Sequence, residues 1–189
     1  MPIPVTKPTR AQMMKCVARF KDLYRADHSL PDCQVPGYER TLVNVLGFAP
    51  PQAAADIKAY SPVGDQAKPY ITHLKPGFGI AFVEAEPGKG VMMHNHDTNE
   101  TFMPVGGVWR VTWEGDTGDE SVDLAPLDLI SVPPHLQRQF HCLSAAPGQA
   151  KGVLLVVIGG DQPSAEFSPE AERELMARGL MPPAQKRAS

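Results

Sequence analysis

Between Pro69 and Gly160 the chain consists of short apolar-rich runs, broken at close intervals by glycine, proline and small polar residues. Trp109, Val111 and Trp113 alternate with Val108, Arg110 and Thr112, a period of two that sends successive side chains to opposite faces of a strand. The same reading predicts strands at 70–74, 79–86, 91–96, 100–105, 108–113, 121–124, 127–132, 138–143 and 152–158. Glu114-Gly-Asp-Thr-Gly-Asp119 has the composition of a hairpin loop. Val153-Leu-Leu-Val-Val-Ile158 is apolar without interruption, which predicts a strand buried on both faces. Together these runs predict an antiparallel all-β domain, a sandwich or a barrel.

The flanks carry a different pattern. Thr9-Arg-Ala-Gln12 reads as a capping box that opens a helix. Met13, Val17, Phe20 and Tyr24 follow at spacings of four, three and four and would form one apolar face. That face is expected to pack on the main domain or on a second subunit, and a lid over a site is the sharper alternative. Thr41-Leu-Val-Asn-Val-Leu46 fits either a strand or a helix, and Pro50-Pro51 precedes a short Ala-rich segment. Near the other end, Ser168 is a good N-cap, Pro169 suits the first helical position and Gly179 suits the residue after the C-cap. Residues 169–178 should therefore be helical, followed by a tail from Pro182 to Ser189. The expected organisation is an N-terminal arm with a helix over 1–67, a β-domain over 68–160, and a C-terminal helix and tail over 161–189.

Composition narrows the function classes. A chain of 189 residues suits one domain with extensions and can bury a sizeable core, and its 20 prolines and 16 glycines fit many turns better than a helical bundle. A net charge of −3 leaves no broad basic footprint, so neither nucleic acid nor an anionic membrane surface is an expected partner. No apolar run approaches the length of a membrane span, and the opening Met-Pro-Ile-Pro-Val-Thr-Lys-Pro does not read as a signal peptide. Cys16, Cys33 and Cys142 are odd in number and widely spaced, which argues against a disulfide framework and fits a reducing cytoplasm.

The densest chemistry lies at His94, His96 and Glu100. A strand places residues i and i+2 on one face, so both imidazoles can enter one cavity. Glu100 follows the polar loop Asp97-Thr98-Asn99 and can re-enter on the neighbouring strand to face the same cavity. Two imidazoles and a carboxylate suit Fe(II), Mn, Zn, Ni or Co, and with open positions they make the facial triad of non-haem iron oxygenases.

From Gly88 to Gly107 the sequence reads G-x5-H-x-H-x3-E-x6-G, with Gly88, His94, His96, Glu100 and Gly107 at every fixed position. This pattern resembles the first conserved motif of the cupin superfamily. The resemblance spans roughly residues 70–160 and implies a double-stranded jelly-roll barrel with a metal inside. Cupins carry a second motif, roughly G-x5-P-x-G-x2-H-x3-N, whose histidine is usually the fourth ligand. Aligned on Pro133, this chain has Leu127 and His135 at the glycine positions, Arg138 at the histidine and Cys142 at the asparagine. An arginine stays protonated and offers no lone pair, so it cannot ligate a metal. His135, in the turn, and His141, three residues past Arg138, are candidate replacements, although strand alternation turns His141 to the opposite face.

Arg138 supports two opposed readings. It either enters the cavity beside a three-ligand metal and clamps a carboxylate substrate, or it pairs with Glu100 and occupies the place of the metal. A fixed positive charge about 5 Å from a divalent ion is repulsive by several kcal/mol at an effective dielectric of about 20. The ligand set and the resemblance imply an Fe(II)-type oxygenase or dioxygenase acting on a small molecule. Arg138 and Tyr70 are then the candidate catalytic residues, as substrate clamp and proton donor. A non-catalytic small-molecule sensor is the alternative from another class. A cupin isomerase or lyase, with or without a metal and using Tyr70, His73 or His141, is a third. His28 is expected at the surface, and a homodimer is the expected assembly.

Overall fold

A computed structural model describes residues 2–49 and 60–181 of the chain. The Ala-rich segment after Pro50-Pro51 and the tail from Pro182 to Ser189 lie outside the described residues. Among the described residues, ten strands form two antiparallel five-stranded sheets. In chain order they are β1 (Thr41–Leu46), β2 (Phe78–Ala85), β3 (His94–His96), β4 (Glu100–Gly106), β5 (Val108–Glu114), β6 (Asp119–Leu124), β7 (Ile130–Val132), β8 (Arg138–Ser144), β9 (Gly152–Gly159) and β10 (Ala165–Phe167). One sheet runs β1-β2-β9-β4-β7 and the other β10-β3-β8-β5-β6. This is the expected double-sheet jelly roll. Among the described residues no helix is long and apolar enough to cross a membrane.

The period-two pattern sets which side chains fill the interior. Phe102 on β4, Trp109 and Val111 on β5, Phe140 on β8 and Leu154, Val156 and Ile158 on β9 belong to one buried cluster between the sheets. The Phe102 and Phe140 rings meet edge-on at 5.3 Å across the two sheets. β9 alternates buried and half-buried positions instead of being buried on both faces. Its position between β2 and β4 shields the outward Val153, Leu155 and Val157 only in part. The hairpin between β5 and β6 closes with Glu114 opposite Asp119. Helix α2 (Pro169–Ala177) has Ser168 as its N-cap, accepting from the Ala171 N–H, and Leu175 as its buried anchor.

The N-terminal region departs from the expected arm. Its capping box forms, with Thr9 and Gln12 bonding reciprocally, but helix α1 (Arg10–Met14) lasts only five residues. The anticipated apolar face finds no helical partner. Phe20 instead meets Phe82 of β2 edge-on at 5.0 Å, and Tyr24 stays 61% exposed. A short helix without a packed face has little to hold it, and the chain continues through a 3-10 turn at Phe20–Asp22 to Ala26, which pairs with Leu42. Thr41–Leu46 is the edge strand of a barrel sheet, so the β-structure begins well before residue 68. It also continues past residue 160, because β10 pairs with β3. The strand expected at 70–74 is reduced to one bridge between Ile71 and Leu46, in a stretch closed off by Pro69 and Pro76.

The second motif survives in the backbone where its side chains are lost. Leu127 and His135, at the two glycine positions, have φ of 75° and 66°, the left-handed region that glycine occupies without steric cost. Leu127 is 75% exposed, so its side chain brings little burial in return. Leu127→Gly should therefore raise stability by about 1 kcal/mol, measured as a higher urea midpoint at unchanged slope. A lower midpoint would show that the side chain is held by contacts worth more than the strain.

Candidate functional site

β3 carries His94 and His96 on its inward face and Asn95 on the other. The corner at 97–99 then carries the chain from one sheet to the other. The corner is pinned by the Ser164 N–H donating to Asp97 Oδ1 at 2.8 Å and by the Gly159 N–H donating to the Asn99 carbonyl at 3.1 Å. Glu100 consequently opens β4 between Val132 and Ile158, on the sheet opposite the two histidines and facing them. All three side chains are buried, and their ligand atoms lie within 4.8 Å of one another.

The hydrogen bonds of the imidazoles orient them. His94 Nδ1 lies 2.8 Å from the Met92 carbonyl and His96 Nδ1 lies 2.9 Å from the Ser164 carbonyl. A carbonyl only accepts, so each Nδ1 carries the proton and each Nε2 presents its lone pair. Those lone pairs face the Glu100 carboxylate, with Oε2 at 3.4 Å from His96 Nε2 and 3.9 Å from His94 Nε2. Three electron-rich atoms turned towards one point call for a cation between them, a metal or a proton. The donor set fits a transition metal, since metal-bound histidines commonly donate their other ring N–H to a backbone carbonyl in this way.

Arg138 binds the same carboxylate oxygen that faces the imidazoles. It is fully buried on β8, opposite His94 in register, and donates from Nε to Glu100 Oε2 at 3.0 Å and from Nη1 to the Leu136 carbonyl at 3.0 Å. Its Nη2 has no hydrogen-bond partner. Burial pushes the Glu100 pKa up, but His96 and Arg138 outweigh it and hold the carboxyl at about 2. Burial and then His96 lower the His94 pKa to about 3, against the pull of Glu100. His94 is therefore neutral near pH 7, and its approach to Glu100 is not a salt bridge.

A narrow cavity opens onto this cluster, walled chiefly by apolar side chains such as Phe48, Val83, Phe140 and Phe167. Its volume is about 30 Å³, so only a compact ligand would fit. His94, His96 and Glu100 line it, whereas Arg138, the expected clamp, is not among the lining residues. Tyr70 lies outside the cavity, 48% exposed in a surface groove. His135 is exposed. His141 faces away from Arg138, as alternation requires, with its ring 5.8 Å from that of Tyr38. Neither His135 nor His141 joins the ligand group. Sequence spacing gave no sign of two polar groups that do line the cavity, Arg40 and Tyr60. It also missed the contact in the surface groove between Cys16 Sγ and His73 Nε2, 3.4 Å apart and 57 positions apart in the chain.

No protein-family model matches the chain, and no curated protein matches it. Among solved structures it is similar to a vicilin from Corylus avellana (hazelnut), at 10% identity and a TM-score of 0.50 over 81% of this chain. It is also similar to an oxalate decarboxylase, at 14% identity and a TM-score of 0.50 over 75% of this chain. A cupin 2 domain-containing protein from Halorhodospira halophila matches 56% of this chain and 69% of its own length, at 23% identity and a TM-score of 0.40. The chain spans 36% of the vicilin and 28% of the decarboxylase. The likeness to these two shows the cupin fold.

The electrostatics give a pH dependence. His94 is protonated in the unfolded chain below about 6.5 and in the folded protein only below about 3, so acid favours unfolding across that window. His141, lowered by burial, contributes with the same sign, and Glu100 adds to the loss between its ordinary 4.5 and about 2. The melting temperature of metal-free protein should fall as pH drops from 6.5 to 4.5, and His94→Gln should flatten that slope. An unchanged slope in His94→Gln would mean that His94 does not titrate differently in the two states.

Proposed function

We propose that this cupin-fold chain holds a divalent transition metal on His94, His96 and Glu100, with Fe(II) favoured, and acts on a small molecule in the adjoining cavity as an oxygenase or dioxygenase. The observation that carries this reading is the convergence of two Nε2 lone pairs and one carboxylate, with each Nδ1 already committed to a backbone carbonyl. Ligands of this type leave coordination positions open and supply Lewis-acid chemistry and, with Fe(II), redox chemistry towards O2.

The chain's own residues prepare the site. Met92 and Ser164 fix the tautomers of the two histidines, so that no ring rotation is needed before a cation is bound. Arg138 keeps Glu100 ionised and its carboxylate fixed in orientation. The apolar wall excludes bulk water and strengthens every electrostatic interaction inside. Arg138 thus acts as a positioning residue, which replaces the substrate clamp expected from the sequence.

A second reading has an observation of its own. Arg138 already occupies Glu100 Oε2, the oxygen that faces both imidazoles, and a cation bound there would sit close to a guanidinium. On that reading the cavity is a metal-free binding site.

Elemental analysis after anaerobic Fe(II) loading separates the two. The proposed function predicts one metal per chain in the wild type and an affinity reduced more than about 100-fold in Glu100→Gln. It also predicts O2 uptake that depends on a small organic substrate. No metal in the wild type, with uptake appearing in Arg138→Leu, would establish that the guanidinium has taken the place of the ion.

A further inference from the structure

Two residues of the cavity wall, Arg40 and Tyr60, each keep one buried donor that neither the fold nor the cluster described above uses. Arg40, just before β1, is almost fully buried. Its terminal nitrogens are committed: Nη1 and Nη2 donate to the two Asp32 oxygens at 2.9 and 3.0 Å, and Nη1 also donates to the Tyr38 and Gly90 carbonyls. Asp32 in turn accepts from the Met92 N–H at 3.1 Å, two residues before His94. The guanidinium is therefore held rigidly, and its Nε–H has no acceptor.

Tyr60 lines the same cavity. Its backbone pairs with Ala165, which pairs with His96, and its ring stacks at 5.0 Å on Phe167. The ring is partly exposed, but the hydroxyl is sealed from solvent and has no partner. Burial and then Asp32 push its pKa well above the ordinary tyrosine value, so the phenol keeps its proton to donate. Buried donors without acceptors are rare in folded proteins and need an explanation.

Charge decides what they would take. Arg40 is balanced by Asp32 and Arg138 by Glu100, so these four groups together add no net charge around the cavity. A divalent metal on neutral imidazoles would leave a positive excess there, which a small anion would balance. We propose that Arg40 Nε–H and Tyr60 Oη–H form the recognition half of the cavity, holding the carboxylate of a compact acid beside the His94–His96–Glu100 cluster. This rests on the metal reading given above and names its substrate class. The scant room in the cavity limits the acid to a few heavy atoms.

The test is calorimetric titration of Co(II)-loaded full-length protein, in a buffer without carboxylates, with acetate and with its neutral counterpart acetone. Metal content is determined separately on every sample. Tyr60→Phe removes one hydroxyl and little else, and it should weaken acetate binding by at least about tenfold. Its metal content should match the wild type, and its melting temperature should be equal or higher, because the lost group has no partner in the fold. Full metal content with acetate bound equally by Tyr60→Phe, or not bound by the wild type, would overturn the carboxylate subsite while the metal reading stands. Acetone binding as tightly as acetate would overturn the anionic assignment. Protein that takes up no metal would remove the metal reading. The subsite would then survive only if metal-free protein binds acetate in a Tyr60-dependent way.

Discussion

A carboxylate inside an apolar barrel has to be compensated, and the arrangement around Glu100 is the response to that constraint. The carboxyl group shares its inward face of β4 with Phe102, where a lone charge would be neutralised by proton uptake. It stays ionised because the Arg138 guanidinium donates to it from the opposite sheet. The register that pairs His94 with Arg138 brings the guanidinium and both imidazoles to one carboxylate. Removing either partner of this pair would strand a buried charge, a loss of the order of 3–5 kcal/mol in comparable cases.

The second buried pair, Arg40 with Asp32, lies elsewhere on the cavity wall and organises the approach to the first. Through the Met92 N–H it ties the segment entering β3 to the loop before β1. One strand thus receives its position from two ion pairs that have no residue in common. Replacement of such pairs by well-packed apolar groups is often neutral or stabilising. Their presence is better explained by the geometry they impose on the cavity than by any contribution to stability.

Much of this was legible in the sequence, because the relevant signals are local. Alternation put His94 and His96 on one face, the Asp97–Asn99 turn returned Glu100 to them, and Ser168, Pro169 and Gly179 bounded α2 to within a residue. The glycine positions of the degenerate motif were also informative, since Leu127 and His135 keep the backbone that glycine would take. Other features depend on contacts between distant segments and were not legible. The early end of α1 reflects Phe20 docking on Phe82, and β10 becomes a strand only because β3 offers it an edge. Arg40 and Tyr60 reach the cavity through partners far away in the chain, which no periodicity encodes.

One hydrogen bond gives the C-terminal region a second role. The carbonyl that sets which nitrogen of His96 carries its proton belongs to Ser164, in the segment between the last long strand and β10. Ala171 and Leu175 of helix α2 share a buried cluster with Phe167 of β10, Val35 and Met92, which helps hold that segment against β3. A chain cut at Gly160 would keep every candidate ligand and most of the barrel, yet His96 would be free to switch tautomer. A form ending there would carry every candidate ligand without the carbonyl that orients His96. The candidate ligands end at Glu100, but the site they form reaches to Ser164.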